Sequence, residues 1–488
     1  MVDTEKEPVL IFMFGATGDL ACRKLYPALF ELYKKNHEFA VIGLARRQHT
    51  HESYRSMIDR TLDQTSGKRK DFLQRFYYQP LDVDHPNHFA LLKNISDQID
   101  AHYHLQGNRI FYFSLAPRFF GPAAMNLKKA GIIETNGWRR AVIEKPFGHD
   151  LASAKILNEE LLHVFNESEI YRIDHYLGKE MVQNIEALRF ANPIFESVWN
   201  HRQIANVQIT LSETLGVGER ASYYDQTGAL LDMVQNHILQ LLILTAMEPP
   251  SRFDTEDVRQ EKVKVLKAIR PMDHKNIANQ VVRAQYTAGV MPDGTRIAGY
   301  HDENNIADTS DTETFVAARF FVDNYRWSGI PFYIRTGKRL SAKSTEIVIQ
   351  FKDIPQNPYF SELTKAGPNL LVIHIQPDEG LSLKLNVKEF GEEGTTIPIS
   401  MNFSNHHGNL TNTPDAYERL IGDCLRGDST NFTRWDEVAY SWSLIDSIVA
   451  GWSHVPLDYY EAGTMGPSSS DQLLAADGFC WWPLTKME

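Results

Sequence analysis

The feature of this chain that most constrains its fold is an apolar run that ends at a glycine turn and continues into a helical pattern. Residues 9–14 read VLIFMF, Gly15 and Gly18 bracket a turn, and apolar residues recur at helical spacing over 20–32. A strand, a tight turn and a helix in this order point backbone N–H groups and a helix N-terminus at a bound pyrophosphate. Because the spacing departs from G-x-G-x-x-G, an ordinary strand-to-helix turn remains the alternative.

The first third of the chain repeats this pattern of an apolar run followed by a helical stretch, whereas the remainder has a different hydrophobic pattern. Short apolar runs that alternate with amphipathic stretches are typical of a parallel sheet, and the predicted strands are 9–14, 39–45, 109–115, 140–145 and 169–173. From about residue 204 the apolar runs follow more closely, as in an antiparallel sheet with one covered face. The predicted strands there are 204–216, 315–322, 331–337, 345–352, 369–376, 381–387 and 396–403.

These patterns predict an α/β region followed by an α+β region. Residues 1–180 are expected to form a Rossmann-like dinucleotide-binding domain with a parallel sheet, and 181–488 a larger β+α domain with a mostly antiparallel sheet. A length of 488 residues also favours two domains. Helices that would cover the second sheet are predicted at 178–190, 228–246, 414–426 and 434–452.

Composition and charge exclude several classes of protein. The chain has 50 basic and 62 acidic residues and a formal net charge of −12, which argues against general binding to nucleic acid or to anionic membranes. The N-terminal residues are acidic where a secretory signal is basic, and no uninterrupted apolar run approaches the roughly 20 residues that span a bilayer. Cys22, Cys424 and Cys480 lack paired metal-ligand spacing. We expect a soluble cytoplasmic protein without a metal.

Unusual polar clusters follow the apolar runs of the first third, each where a predicted strand ends. Besides Gly15 and the ARRQ segment, they are APR at 116–118, EKPFG at 144–148 and DHYLGK at 174–179. In an open parallel sheet, ligands bind beyond the carboxyl ends of the strands. The clusters therefore line one edge, although strand ends are also where loops begin.

The ARRQ segment bears on the choice of nicotinamide cofactor. A domain that prefers NAD usually has an acidic residue there for the ribose hydroxyls, whereas Arg46 and Arg47 lie where a 2′-phosphate would bind. NADP is the favoured cofactor, while NAD use and the choice between the two arginines stay open. The alternative is a pair of solvated arginines.

The DHYLGK and EKPFG segments contain candidate substrate ligands. His175 and Lys179 are four residues apart, so a helical segment would present both on one face as a phosphate clamp. A solvated helix start capped by Asp174 is the alternative. Lys145, stiffened by Pro146, would suit a substrate oxygen near the nicotinamide or would form an ion pair with Glu144.

Two polar residues of the second region lie where apolar ones are expected. His237 falls on the apolar stripe of the helical pattern 228–246, either as a satisfied core residue or as a general base tuned by burial and a carboxylate. Glu213 lies at the strand side that carries Ile209 and Leu211. A carboxylate on that side needs a partner, which would be a sugar hydroxyl or an internal arginine or lysine.

Taken together, these motifs are similar to those of a known family. GATGDLACRKLYPALFELY, EKPFG, RIDHYLGKE, ETLGVGERASYYDQTGALLDMVQNH, VRAQYTAG, PFYIRTGKRL and ERLIGDCLRGDSTNFTRWDEV occur in this order. RIDHYLGKE followed by DMVQNH is the most specific combination. The chain resembles the glucose-6-phosphate dehydrogenase family from about residue 10 to about residue 467.

The resemblance implies a role for each matching residue. His237 would be the general base that takes the proton from the hydroxyl on the anomeric carbon, and Asp174 would support the imidazolium that forms. Lys145 would bridge sugar and cofactor. The implied phosphate ligands are His175, Tyr176, Lys179, Lys338 and Lys343, and the implied hydroxyl ligands are Glu213 and Asp232. The implied cofactor contacts are Gly15, Thr17, Gly18, Asp19, Leu20, Arg46, Tyr112 and Lys145.

The implied reaction is the oxidation of D-glucose 6-phosphate to 6-phospho-D-glucono-1,5-lactone with hydride transfer to NADP, the first step of the oxidative pentose phosphate pathway. The resemblance also implies that 181–488 form the substrate and dimerisation domain, with a homodimer or higher homo-oligomer that uses the antiparallel sheet. One spacing is unexpected: Asp232 precedes His237 by five residues, which does not place both on one α-helical face, so a frayed or irregular helix start is expected at Asp232.

Two other functions remain open. A catalytically silent dinucleotide-binding sensor or scaffold would need the glycine turn but neither His237 nor Asp174. An oxidoreductase acting on an unphosphorylated sugar would need the base but no phosphate site. The lysine set argues against the second alternative, because lysines without an anion would repel one another in a partly closed pocket.

Overall fold

The computed structural model describes residues 7–63, 65–353, 367–389, 396–404 and 415–484. The chain forms two compact units. The first comprises Met1–Gly178, Ser251–Arg259 and Pro414–Ala439, and the second comprises Lys179–Pro250, Gln260–Thr413 and Tyr440–Glu488. The assignment of domains to 1–180 and 181–488 stays a prediction.

The first unit contains a six-stranded sheet. Its strands are β1 (Val9–Phe14), β2 (Phe39–Ala45), β3 (Phe76–Pro80), β4 (Arg109–Phe113), β5 (Arg139–Ile143) and β6 (Ile170–Arg172). They lie in the order β3-β2-β1-β4-β5-β6, and every adjacent pair is parallel. The predicted parallel sheet is confirmed. Strand β3 was not predicted, because its sequence FYYQP contains no uninterrupted aliphatic run.

One prediction about helix packing is wrong. Helix Ala416–Arg426, which we expected to cover the antiparallel sheet, belongs to the first unit and packs against helix Tyr26–Lys34. Its apolar face, with Leu420 and Cys424, is buried in one cluster with Leu29 and Val142. The pattern correctly predicted an amphipathic helix, but periodicity does not identify the surface that a helix covers.

The second unit contains a nine-stranded sheet and a small two-stranded pair. The strands are β7 (Ile204–Ser212), β8 (Val281–Thr287), the small pair β9 (Gly289–Val290) and β10 (Arg296–Ile297), β11 (Phe315–Phe321), β12 (Pro331–Gly337), β13 (Ser344–Phe351), β14 (Leu370–Gln376), β15 (Gly380–Lys388), β16 (Thr396–Ser404) and β17 (Leu457–Glu461). The order of the large sheet is β16-β15-β14-β13-β7-β12-β11-β8-β17. Among the described residues of this sheet, only β7 with β12 and β8 with β17 pair in parallel, so the mostly antiparallel sheet is confirmed.

The central strand β7 is buried on both faces, not on one as the alternation suggested. Polar residues on its second face, Gln208 and Thr210, are 2% and 3% exposed. The C-terminal segment bonds Gln208, which donates to the carbonyl of Cys480 at 2.9 Å and accepts from the backbone N–H of Trp482 at 3.0 Å. Thr210 accepts from the Arg335 guanidinium at 3.1 Å. These polar side chains are tolerated on a buried face because each has a hydrogen-bond partner there.

The remaining elements are helices. The helical segments of at least five residues are Ala21–Leu25 (π), Tyr26–Lys34, His51–Asp59, Arg69–Gln74, Pro86–Tyr103, Phe120–Lys129, Leu151–Leu162, Glu180–Phe190, Ala221–Ala229, Leu230–Ile238 (π), Leu239–Ala246, Thr255–Ala268, Ala416–Arg426, Trp435–Ala450 and Ser468–Ala475. Within the described ranges, one helical run, Gly218–Ala246, is long and apolar enough to span a bilayer. Because 83% of its most apolar window is buried inside the protein, it resembles a core helix.

Candidate active site

The glycine turn after β1 has the geometry that the sequence predicts. Gly15 has a φ of +76°, and a Cβ at this position would lie 1.9 Å from the carbonyl oxygen of Ser114. The N–H of Gly15 donates to Leu44 at 2.9 Å, and the N–H of Gly18 donates back to Gly15 at 2.9 Å. Only glycine therefore allows the turn to pack so closely against the end of β4.

A cavity of about 290 Å³ opens at this turn, at the carboxyl ends of the parallel strands. Gly15, Thr17, Gly18, Arg46 and Arg47 all line it. Both arginines are exposed, and the hydroxyl of Tyr78 donates to the Arg47 carbonyl at 2.5 Å, which fixes the backbone there. A glycine turn beside two cationic side chains fits a dinucleotide that carries a 2′-phosphate.

The other predicted residues of the turn lie beside the cavity. Asp19 is exposed and forms a 3.4 Å ion pair with Arg23, and Leu20 is partly buried at the start of the helical segment. The prediction that both contact the cofactor is not tested by these positions and stays a prediction.

Tyr112 and Glu144 form a buried polar pair behind the strand ends. Tyr112 is 2% exposed, and its hydroxyl donates to Glu144 at 2.6 Å. Tyr417, from the helix that returns late in the chain, approaches the other carboxylate oxygen at 3.5 Å. Burial raises the pKa of the Glu144 carboxyl to about 7, and the bond from Tyr112 opposes that shift. The Tyr112 hydroxyl is thus used inside the unit, and its cofactor contact stays a prediction.

The segment after β6 is a turn, so the condition for presenting His175 and Lys179 on one helical face is not met, and their role as phosphate ligands stays a prediction. Helix Glu180–Phe190 begins only after Lys179. The carboxylate of Asp174, which is 3% exposed, accepts from the N–H of Tyr176 at 2.9 Å. The His175 ring lies parallel to Tyr417 at 6.3 Å between centroids and edge-on to Tyr176 at 5.0 Å. The imidazole thus lies beside two aromatic rings, and His175 is partly exposed.

Lys145 is the second residue of the EKPFG segment, which follows β5 directly, and it is partly buried. Its peptide bond to Pro146 is cis. Its charge acts on the neighbouring Glu144 carboxylate and favours the ionised form of that group. Both interpretations of Lys145, substrate contact and partner of Glu144, therefore stay open.

A preformed cluster of two carboxylates and a lysine occupies the second unit. Ser212 and Gly337 pair at the ends of the parallel strands β7 and β12, so the next residues, Glu213 and Lys338, are neighbours. The Lys338 ammonium donates to Glu213 and lies 3.9 Å from Asp232. We expected Glu213 to be a core-facing residue of strand β7. The strand instead ends before Glu213, which is half-buried.

Tyr224 completes this cluster and was not found from the sequence. Its ring lies 5.2 Å from the Lys338 ammonium. Its hydroxyl is buried and makes no hydrogen bond within the described part of the chain. Burial, and then the charge of Asp232, hold the pKa of this phenol well above its usual value. No spacing rule would have singled it out from the YYD triplet.

The helix that carries Asp232 and His237 has π geometry from Leu230 to Ile238. In an α-helix, residues five apart point roughly 140° away from each other. Hydrogen bonds from i to i+5 widen the turn and bring such residues close to one face. The irregularity expected near Asp232 is therefore a π segment nine residues long, not a frayed end. His237 itself is 1% exposed, which agrees with both interpretations of that residue.

The C-terminal end of this helical run is capped by buried side chains. Arg189 donates to the carbonyls of Leu244 at 2.9 Å and Met247 at 2.7 Å. Trp199 donates to Thr245 at 2.9 Å, and Trp327 donates to Ala246 at 2.8 Å. The carbonyls that a helix end normally leaves unpaired are thus satisfied, which fixes the run that bears His237.

Two further lysines were predicted as phosphate ligands. Lys179 lies at the N-cap of helix Glu180–Phe190 and donates to the side chain of Gln376, at the end of β14. Gln376 in turn donates to Thr345 at 3.0 Å, which fixes its side chain. Gln376 therefore orients Lys179, and the sequence analysis did not identify it. Lys343 is exposed in the connection between β12 and β13.

Comparison with known proteins identifies the family. Residues 12–184 match the family model "Glucose-6-phosphate dehydrogenase, NAD binding domain", and residues 186–482 match the C-terminal domain of the same family. Glucose-6-phosphate 1-dehydrogenase of Bacillus subtilis (strain 168) is 52% identical over 98% of this chain and 99% of its own length. The enzyme of Leuconostoc mesenteroides is 42% identical over 97% of this chain and 98% of its own length.

Solved structures give the same result. A glucose-6-phosphate dehydrogenase in complex with its substrate glucose-6-phosphate superposes with a TM-score of 0.90 at 36% identity, covering 99% of this chain and 100% of that one. The enzyme from Mycobacterium avium gives a TM-score of 0.82 at 30% identity, covering 99% of this chain and 100% of that one. Matches of this extent in sequence and in structure place the chain in the glucose-6-phosphate dehydrogenase family.

Proposed function

We propose that this protein oxidises D-glucose 6-phosphate to 6-phospho-D-glucono-1,5-lactone and transfers the hydride to NADP, with NAD as an alternative acceptor. Such a reaction would be the first step of the oxidative pentose phosphate pathway. The observation that carries the proposal is family membership over nearly the whole chain. The preformed cluster of Lys338, Glu213 and Asp232, which offers both donors and acceptors to sugar hydroxyls, supports it further.

In the proposed mechanism His237 takes the proton from the hydroxyl on the anomeric carbon. The C–H bond of that carbon breaks with its electron pair, and the oxygen forms the lactone carbonyl. A bound nicotinamide supplies the hydride acceptor. Asp174 supports the imidazolium that results, because a carboxylate stabilises the charged form of a nearby histidine.

The remaining predicted residues are proposed to bind substrate and cofactor. His175, Tyr176, Lys179 and Lys343 would bind the phosphate, and Lys145 would bridge sugar and cofactor. Lys338 was also predicted to bind phosphate. Its ammonium already faces two carboxylates, so we assign it to the sugar hydroxyls together with Glu213 and Asp232. Gly15, Thr17, Gly18, Asp19, Leu20, Arg46 and Tyr112 would contact the dinucleotide.

The direct test follows NADPH absorbance with glucose 6-phosphate and then with free glucose. We expect reduction with the phosphorylated sugar and a kcat/KM for free glucose at least about 100-fold lower, since a lost charge-assisted contact costs about 1.5–3 kcal/mol and several are lost together. No reduction with either sugar would favour a dinucleotide-binding sensor. Equal kcat/KM for the two sugars would favour an enzyme that acts on unphosphorylated sugars. Repulsion between lysines is a weaker argument against that function than the sequence suggested, because Lys338 is paired with a carboxylate.

We propose that Arg46 binds the 2′-phosphate of NADP. Replacing it with alanine should raise the KM for NADP about 10-fold to 100-fold and leave the KM for NAD nearly unchanged, because only NADP has the phosphate that a guanidinium binds. Arg47→Ala, at the adjacent exposed position, is the matched variant, and steady-state kinetics with each nucleotide separates the two arginines. A similar loss with NADP and NAD would contradict the assignment.

A homodimer or higher homo-oligomer is proposed to form through the outer strand β16. Ile397, Ile399, Met401 and Phe403 alternate along it and are 37–59% exposed. An exposed apolar edge strand favours pairing with another sheet or covering by another chain. Light scattering should give at least twice the chain mass of 55.8 kDa. Met401→Lys with Phe403→Lys should reduce it to the monomer mass, whereas Leu91→Lys, at an exposed apolar residue of helix Pro86–Tyr103, should not. A monomeric wild type would refute the proposal.

A cytoplasmic location is proposed from the sparse cysteines, which suit a reducing compartment. Cys22, Cys424 and Cys480 are all free thiols. Fractionation of the source cells, with NADPH formation as the assay, tests this location.

A further inference from the structure

The helical run that bears His237 is interrupted at Gly228, where φ is 63° and ψ is −179°. In a continuous α-helix the N–H of Ala229 would donate to the carbonyl of Asp225, four residues earlier. Here the N–H of Ala229 donates instead to the carbonyl of Glu313 at 3.0 Å. The next N–H, that of Leu230, donates to the Glu313 carboxylate at 3.0 Å. A segment from outside the helix thus supplies the acceptors that the interruption removes.

The same segment satisfies the carbonyl on the other side of the interruption. The hydroxyl of Thr312 donates to the carbonyl of Asp225 at 2.6 Å. Ser310 and Tyr300 donate to the Asp225 carboxylate, at 2.5 Å and 2.9 Å. Insertion of outside groups into the hydrogen-bond ladder is a recognised cause of a helix kink. Both broken ends are therefore bonded by residues 310–313.

The fit between Glu313 and the kink is close. A Cβ on Gly228 would lie 2.3 Å from the Glu313 carboxylate, so a side chain at that position and the carboxylate are incompatible. Glu313 is 6% exposed, and burial raises the pKa of its carboxyl to about 7. The following residue is fixed to the sheet, since Thr314 donates to Ala284 at 2.8 Å and accepts from Lys338 at 2.9 Å. The acceptor for Leu230 is thus held by the strands and not by a mobile loop.

We propose that Glu313 is a positioning residue for His237: it caps the helix that restarts at Leu230 and so sets the rotation of the π segment that bears the base. The proposal rests on the role of His237 given above. His237 lies seven residues after Leu230 in the same helical segment. A change in the residue at which the helix restarts would therefore rotate the His237 imidazole together with the segment. A misplacement of about 1 Å can cost 10²-fold in rate.

The test compares two replacements of Glu313 in the full-length protein. Glu313→Leu keeps the approximate volume but removes the acceptor for Leu230, and we expect kcat to fall about 10-fold to 100-fold. Glu313→Gln keeps an amide oxygen as acceptor, and we expect it to retain kcat within about threefold. The Kd for NADP, measured by fluorescence, should stay unchanged in both. The KM for glucose 6-phosphate is expected to rise as well in Glu313→Leu, because Asp232, a proposed ligand of the sugar hydroxyls, lies on the same restarted segment.

Three outcomes would overturn the proposal. A folded Glu313→Leu protein with wild-type kcat would do so, as would equal losses in the Leu and Gln variants. If the Leu variant does not fold, Thr312→Val removes only the bond to Asp225, and wild-type kcat in that variant would count against the proposal. Val265→Ala, at a residue of helix Thr255–Ala268 that is 2% exposed and lies outside this helical run, controls for general destabilisation through its melting temperature. His237→Asn tests the base itself, so failure of the underlying function is recognised separately.

Discussion

Replacing His237 with asparagine is expected to lower kcat by a factor of about 10²–10⁴, the range found when a positioned general base is removed. The affinity for NADP should remain within a few-fold of the wild type. Asparagine retains a polar side chain of moderate size, and the helix remains capped by Glu313 at one end and by Arg189 at the other. The loss should therefore reflect chemistry and not unfolding.

The measurement is steady-state kinetics with saturating NADP and glucose 6-phosphate, together with thermal unfolding. A matched control is His374→Asn, since His374 is also a buried histidine of the second unit, 3% exposed and bonded to Ser382 at 3.0 Å. That variant should keep kcat within about twofold, because nothing assigns His374 to the reaction. If His237→Asn is folded and retains wild-type turnover, His237 is a satisfied core residue and the proposed mechanism fails.

The second large effect is expected at the glycine turn. Gly15→Ala should weaken NADP binding by a factor of about 100. A residue with a Cβ in the left-handed region costs about 1–2 kcal/mol, and overpacking adds about 1–3 kcal/mol. Here the added carbon would lie 1.9 Å from the Ser114 carbonyl, which is backbone and cannot rotate away. The turn must therefore open, and the N–H groups that would face the pyrophosphate are displaced.

A substitution at a second glycine, Gly131, distinguishes the effect of backbone strain from that of a steric clash. Gly131 has a φ of +66°, but the nearest atom to an added Cβ is a glutamate oxygen at 3.8 Å, which is an ordinary contact. Gly131→Ala should lower the melting temperature by a few degrees without changing the Kd for NADP. Calorimetric titration of both variants provides the comparison. Equal nucleotide affinity in Gly15→Ala and the wild type would show that the turn does not bind the cofactor.

The sequence predicted regular elements well because their signals are local. Strands β1, β2 and β12 begin and end where their apolar runs do. Strand β3 was missed because tyrosine, glutamine and proline interrupt any apolar pattern there. The sequence did not reveal which surface helix Ala416–Arg426 covers, since its partner helix Tyr26–Lys34 lies almost 400 residues earlier in the chain.

The candidate site shows the same division between local and distant information. The positions of Gly15 and Arg46 follow from strand ends, which periodicity reveals. The pairing of Lys338 with Glu213 depends on two strands becoming parallel neighbours, and sequence spacing does not specify that. The spacing of Asp232 and His237 indicated an irregular helix start but not π geometry over nine residues, because hydrophobic periodicity does not distinguish the two. Glu313 was missed because it bonds the backbone of a helix that is distant in sequence.

The late return of the chain into the first unit limits how this protein can be divided. A recombinant fragment that stops near residue 180 would lack Leu420, Ile421 and Phe432, which are 0–5% exposed in the intact core. Leu29 and Val142 would then face solvent, and an uncovered apolar face of this kind promotes aggregation. The first unit is thus not one contiguous stretch of chain, and exchange between homologous genes would have to transfer all three of its stretches of coding sequence together.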